Sequence, residues 1–482
     1  MFSKRNVRIA ALWSGIEALS SVVLSLISIV YLARILHPTD YGNIAMAQVI
    51  AGLVGLIFSF GFAEAIIQRK EINDEVKATA FLASVFFCVC TLLVSFATIL
   101  ILHFFIKEQV VIYIFMFEIA GVIFTLLSIL PTALLLRQLK MSAFTKRTLI
   151  SRGIFFVITV PLASYGYGIW SVVFGNLAQS FVSMVLLFIA TRKEMPRKIN
   201  FNFLIFKDLF GFGIYVMAEN ILWSVLSRVF SLLIASFQGT YALGLYNMAT
   251  KITDAVLNVM NTVVSRMALP LFSQVQDDNQ KLRNIFARTT KLFNVISMPA
   301  FFGMAITCSE WVPVILGNSW SNAIPVIQII AVMYAIMYSR MFVGTAMKAV
   351  GQSKRFMILS AISAVLSIVT VLITRNMSLI DTMIYWAVVR VAVTIPIGIF
   401  LMQRILKMDA LEQLKPVFVP LFSSLVMGTV LLFLDRFVEL DKYGFYLNMT
   451  FVFLIGFISY IIPFMIATYI NNMISGESKW KV

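Results

Sequence analysis

Six polar residues near the middle of the chain fall at helical intervals: Asn247, Lys251, Asp254, Asn258, Asn261 and Ser265, spaced 4, 3, 4, 3 and 4. At about 100° per residue they share a stripe roughly 80° wide on one helix. Two arrangements fit such a stripe. It can line a water-filled cavity, or form a hydrogen-bonded seam between helices with Lys251 and Asp254 as an internal ion pair. Ser14, Glu17, Ser21, Ser25 and Ser28 repeat the pattern near the start of the chain, where small hydroxyl residues also serve as ordinary helix-packing elements. Asn220, Ser224, Ser227 and Ser231 form a third row, flanked by Glu219 and Arg228.

Isolated charges interrupt otherwise apolar runs at Arg266, Arg340, Arg390, Glu64 and Glu118. In an apolar medium such groups are costly and turn toward a bundle interior or a wet cavity. Arg390 sits near the middle of its run, from which its head group reaches water at either end only with difficulty. A guanidinium offers a fixed fork that matches phosphate oxygens, so several arginines and a lysine together suit an anionic phosphate. The carboxylates can balance these cations, or one can bind a coupling proton or sodium ion. Catalytic and metal chemistry find no support. Cys88, Cys90 and Cys308 lack metal-ligand spacing, and His37 and His103 lie far apart with no evident partners.

The elements that must carry these residues follow from composition. The 482 residues are 60% hydrophobic and 12% charged, against about 25% charged in a soluble domain, and the mean hydropathy is +0.94. Apolar stretches of about 20 residues, enough to cross a ~30 Å hydrocarbon core, recur from end to end. They are unbroken runs, not ten-residue alternations, so they predict helices and exclude a β-barrel. Fourteen spans are expected, near 10–32, 43–67, 79–102, 111–136, 149–165, 168–190, 209–236, 241–271, 291–316, 323–349, 356–374, 379–402, 416–434 and 444–470. The run after the basic start is too long for a signal-peptide core and reads as a retained first helix. The net charge of +16 is explained by loop asymmetry, not by nucleic acid. With the N-terminus in the cytoplasm, inside connections hold 27 Lys and Arg and outside ones 5, which orients both ends to the cytoplasm. The outside loops are short and offer no room for an extracytoplasmic catalytic domain.

The long basic connection at 191–208 divides the chain into six spans, six and two: 1–200, 201–408 and 409–482. Residues 36–47 and 238–249 align at an offset of 202, pairing Gly42 with Gly244, Met46 with Met248 and Ala47 with Ala249. Both windows join the first and second spans of a six-span half, as in transporters built from two parallel repeats. Prolines at 131, 161, 299, 313, 325 and 396 interrupt spans and permit kinks.

Several segments, in order, resemble a known family. Ala33–Gly42 (ARILHPTDYG) and Phe60–Lys70 (FGFAEAIIQRK) look like the N-terminal signatures of bacterial polysaccharide exporters. Gly168–Val172, Ala242–Asn247, Ser265–Arg266 with Pro270, and Trp311–Gly317 with Trp320 continue the likeness. The subgroup it most resembles holds the colanic-acid and O-antigen type exporters of the multidrug/oligosaccharidyl-lipid/polysaccharide superfamily. The resemblance implies two six-helix lobes around a central cleft, MATE-like, with two added C-terminal helices. It also implies that undecaprenyl-diphosphate-linked oligosaccharide is flipped from the cytoplasmic to the periplasmic leaflet of the inner membrane. On that reading Arg228, Lys251, Arg340 and Arg390 attract the diphosphate or acidic sugars, and Asn247, Asn258 and Asn261 bind sugar hydroxyls. Glu17, Glu219 and Asp254 are the ion-coupling candidates, with H+ or Na+ as the coupling ion and no cofactor. Expected partners are the lipid-linked oligosaccharide, membrane lipids and other polysaccharide-assembly membrane proteins. The rivals are a multidrug or lipid II exporter of the same superfamily and, from another class, a membrane polymerase or ligase.

Overall fold

The computed structural model describes residues 4–475 except 60–61, 70, 107, 139, 197, 199, 274–277 and 438–443. Within helices, the side chains of 4–12, 14, 18–19, 105, 212–223, 226–227, 261–271, 273, 435–437 and 471–475 also lie outside the description. Among the described residues every regular element is helical. They run α1 (Lys4–Ile35), α2 (Pro38–Ser59), α3 (Phe62–Gln68), α4 (Asp74–Phe105), α5 (Gln109–Leu127), α6 (Ile129–Arg137), α7 (Met141–Ser164) and α8 (Ile169–Thr191). Then follow α9 (Phe203–Ser273), α10 (Asn279–Ile315), a 3-10 turn (Asn318–Ala323), α11 (Ile324–Tyr338), α12 (Val343–Ala349), α13 (Ser353–Ile373), α14 (Leu379–Leu406), α15 (Ala410–Phe437) and α16 (Phe445–Ser475).

Thirteen helical stretches among the described residues are long and apolar enough to cross a membrane. Gly239, at φ 87° and ψ 171°, breaks α9 into two arms. Counting the arms separately gives the fourteen spans that the sequence predicts, and the chain is a multi-pass membrane protein. The tight turn at 165–168 does separate the fifth and sixth spans; its Gly166 and Gly168 adopt φ of 84° and 52°, a region open to glycine at no steric cost.

Two units form. In Met1–Asn247, α7 packs on α8 and α1, while α5 packs on α2, α4 and α8. An aromatic core of Phe62 and Phe87 packs with Phe206 and Phe210. In Met248–Val482, α10 lies against α11 and α15, α14 against α13 and α11, and α16 against α15. Outward faces carry large apolar side chains such as Phe86, Leu93 and Phe96 on α4 and Phe453 and Phe457 on α16, as lipid contact requires.

The internal repeat is visible inside the first unit. A Cβ on Gly42 would lie 1.8 Å from the Thr240 carbonyl oxygen, and one on Gly244 would lie 1.8 Å from that of Pro38. Each contact maps onto the other at the offset of 202, so α2 and the second arm of α9 cross as equivalent partners, backbone on backbone. The fourth and tenth of the expected spans are also discontinuous. The α5–α6 break falls at Ser128, three residues before Pro131, a residue that cannot donate to the preceding turn. The α11–α12 break covers 339–342, and there the side-chain amide of buried Asn294 donates to the freed Ser339 carbonyl at 2.8 Å. Irregular backbone at membrane depth needs such internal partners.

Candidate functional site

The second unit gathers polar side chains from four helices. Asp254, on the second arm of α9, accepts a hydrogen bond from the Tyr334 hydroxyl of α11 at 2.8 Å. Tyr338 follows one turn later, its ring edge-on to Tyr334 with centroids 4.9 Å apart. The Tyr338 hydroxyl lies within electrostatic reach of both Arg390 and Asp254. Arg390 is half-buried. Its Nε donates to Ser363 Oγ of α13 at 3.2 Å, and its guanidinium lies 5.3 Å from the Trp386 ring centroid. Trp386 is fixed in turn by its indole N–H, which donates to Ser367 Oγ at 2.9 Å. Arg390 therefore has hydroxyl and aromatic neighbours and, among the described residues, no carboxylate in an ion pair with it.

Arg340 reads much like Arg390 in the sequence but stands in a different place. It is only 6% exposed, and its guanidinium donates to the Ile395 carbonyl at 3.2 Å and to Gln413 Oε1. Gln413, fully buried, donates to the carbonyls of Ile399 at 3.2 Å and Met408 at 2.8 Å. Arg340 thus joins the α11–α12 break to α14 and α15, a packing role, and it is not part of the Asp254–Arg390 group.

In the first unit Arg228 is likewise engaged by helix packing. Its Nη1 donates to the carbonyls of Gln48 and Val49 at 3.3 and 3.4 Å. The guanidinium fills the space where a Cβ on Gly52 would stand, 1.8 Å from that position. The Gln48 side chain donates to Glu118 Oε1 at 3.0 Å, so Arg228 and Glu118 both hold the same residue of α2. Glu17 accepts from the Thr148 hydroxyl at 2.9 Å and lies 3.8 Å from Arg147. Arg152 donates to the Ser21 carbonyl at 2.6 Å. Glu17 and Ser21 of α1 thus meet α7, while the Ser28 hydroxyl donates to the Leu24 carbonyl of its own helix at 2.8 Å.

Of the remaining stripe, Asn247 and Lys251 are half-buried and Asn258 is exposed. The side chains of Asn261, Ser265 and Glu219 lie outside the described residues. Tyr334 and Tyr338 carry no site signal in the sequence, where a spacing of four on an apolar helix reads as core, and neither does Gln48. Arg152, an ionisable residue inside a span, carried a signal that burial and charge alone could have found.

A family profile described as polysaccharide biosynthesis protein matches residues 31–325, well over half of the chain. The chain belongs to the polysaccharide biosynthesis protein family. Within the family's reach it is similar to the lipopolysaccharide biosynthesis protein WzxC of Escherichia coli K12, 27% identical over 331 residues. That match covers 67% of this chain and 65% of WzxC, a little under two thirds of the relative's length. It is also similar to the succinoglycan biosynthesis transport protein ExoT of Rhizobium meliloti, 24% identical over 88% of this chain and 85% of ExoT. In fold it resembles the inward closed form of the lipid II flippase MurJ. The TM-score is 0.73 at 16% identity, covering 96% of this chain and 99% of the other.

Proposed function

We propose that this family member is a flippase that moves undecaprenyl-diphosphate-linked oligosaccharide from the cytoplasmic to the periplasmic leaflet by alternating access, driven by H+ or Na+. The observation that carries the reading is Arg390. A half-buried arginine inside a candidate span, steadied by Ser363 and Trp386 and free of any ion pair with a described residue, keeps its charge for a ligand. Its fork suits a phosphate, and Lys251, on the face that also bears Asp254, adds a second cation. Asn247 and Asn258 fit hydroxyl-rich sugars. Asp254, hydrogen-bonded to Tyr334, is the favoured ion-coupling carboxylate, with Glu17 as a second. Arg228 and Arg340 act in this scheme by holding helices together. Family membership, the transport protein ExoT among the relatives and a fold like that of a lipid II flippase support the reading. So does the excess of Lys and Arg in alternate connections, which by the positive-inside rule fits both termini on the cytoplasmic side of an inner membrane.

Deletion of the gene in its host, with analysis of the surface polysaccharide and the lipid-linked pool, tests the proposal. The polymer should vanish while undecaprenyl-linked repeat units accumulate on the cytoplasmic side. An unchanged polysaccharide with new sensitivity to cationic drugs would instead favour a multidrug exporter.

A further inference from the structure

Where α3 gives way to α4, the first unit frames a cavity of about 380 Å³ lined by Arg69, Glu71, Asn73 and Val76. That size falls in the range of about 300–1,000 Å³ typical of small-molecule sites. The flanking spans, Pro38–Gln68 and Asp74–Phe104, both end here, so the cavity lies at a membrane–water boundary. The start of α9 and the residue before it brace it. The Asn202 side-chain amide donates to Glu75 at 2.8 Å, and its backbone N–H donates to Thr79 Oγ1 at 3.1 Å. Asp208 stands 3.2 Å from Arg69. Behind the cavity Arg137 donates to the carbonyls of Ile66, Ile67 and Arg69, fixing the end of α3. Beside it Phe201, Phe203 and Leu204 are 51%, 65% and 75% exposed, apolar side chains at the depth where lipid begins.

Two lining groups have unused capacity. Arg69 Nη1 is buried and, although close to Asp208, it makes no hydrogen bond with a described residue. The two groups are within ion-pair range without a hydrogen bond from Nη1. Glu71 is exposed and has no ion pair or hydrogen bond among the described residues. The neighbouring acids are engaged: Asp74 with Lys77 at 3.2 Å, Glu75 with Asn202, and Asp208 with Arg69. A lone phosphate on Arg69 would bring its charge against the Glu71 carboxylate, which shares the cavity wall. A zwitterion escapes that penalty. Its phosphate takes the Arg69 fork and its primary ammonium takes the Glu71 carboxylate, both as charge-assisted hydrogen bonds.

We propose that this cavity binds the phosphoethanolamine headgroup of a membrane phospholipid, whose chains enter the bilayer beside Phe201, Phe203 and Leu204. A choline headgroup has no N–H to give Glu71, and a glycerol headgroup has no cation. The site is distinct from the Asp254–Arg390 group and does not depend on the transport reading.

Native mass spectrometry of the full-length protein, equilibrated with equal amounts of phosphatidylethanolamine, phosphatidylglycerol and phosphatidylcholine, tests it. The ethanolamine lipid should be retained preferentially. Glu71→Gln, a surface change, should lower that preference about tenfold, the effect of losing one hydrogen bond between charged groups. Arg69→Lys, which keeps the charge and loses the fork, should lower it less. Equal retention of the three lipids, enrichment of phosphatidylglycerol, or a preference untouched by Glu71→Gln would overturn the proposal. Soluble glycerophosphoethanolamine competing as well as the lipid would assign the site to a free solute and overturn the membrane assignment.

Discussion

Gly42→Ala puts the crossing of α2 and α9 under a defined load. The added Cβ would stand 1.8 Å from the Thr240 carbonyl oxygen, 1.6 Å inside the 3.4 Å at which ordinary contact begins. A side chain could swing aside, but a main-chain carbonyl moves only with its helix, so the two helices must separate as bodies. Overpacking usually costs about 1–3 kcal/mol, and a backbone obstacle on both sides places this case near 3 kcal/mol. Gly244→Ala should behave alike, because its Cβ meets the Pro38 carbonyl at 1.8 Å. One separation relieves both clashes, so the double variant should cost at least about 1 kcal/mol less than the two single costs together. Gly153, in α7 with nothing within 4 Å of a Cβ, is the control. There alanine should stabilise by about 0.5–1 kcal/mol through helix propensity. Unfolding in detergent, followed by tryptophan fluorescence, measures all four variants. If Gly42→Ala proves as stable as Gly153→Ala, or the double variant is additive, the paired crossing is refuted.

Arg340→Met should destabilise by about 1–3 kcal/mol, since Gln413 Oε1 is left buried without its donor; Gln413→Leu in the same chain should recover part of the loss, and unchanged unfolding would contradict the packing role. Tyr334→Phe should weaken transport by removing a hydrogen bond to a charged group worth about 1.5–3 kcal/mol. Adding Asp254→Asn to it should then cost little more, whereas independent effects in a complementation assay would show that the pair does not act as a unit. Glu17→Gln should cost under about 1 kcal/mol of stability, because its 3.8 Å contact with Arg147 is partly exposed. A transport defect with normal unfolding would then belong to ion coupling, and a large loss of stability would mark Glu17 as structural.

The fourteen spans were legible because lipid demands long apolar runs, and those runs survive any arrangement of neighbours. The repeat was legible at Gly42 and Gly244 because a backbone crossing leaves glycine no substitute. Which helices touch was not legible. Arg228 and the Gly52 notch that receives it lie far apart in the chain, and neither residue announces the other. Glu17 and Ser21 likewise form a seam only because α7 brings Thr148, Arg147 and Arg152 to them. Arg340 and Arg390 look alike as lone charges in apolar runs. Their difference arises from the α11–α12 break, which turns Arg340 onto Gln413 while Arg390 stays with Ser363, Trp386 and Tyr338. The tyrosines escaped notice because an amphipathic ring counts as apolar until its hydroxyl has a partner. Lipid-facing and cavity-facing helices have similar composition, so hydropathy finds spans more readily than it finds sites.

Transbilayer movement of undecaprenyl-diphosphate-linked oligosaccharide in proteoliposomes holding the purified protein, compared with Arg390→Met, is the most direct test of the central claim. The native chain should expose the labelled oligosaccharide to an external probe far faster than protein-free vesicles, and Arg390→Met should lose at least about tenfold of that rate while folding normally, as the loss of one charged contact to phosphate implies. Equal rates with and without the protein, or an Arg390→Met variant as fast as the native chain, would contradict it.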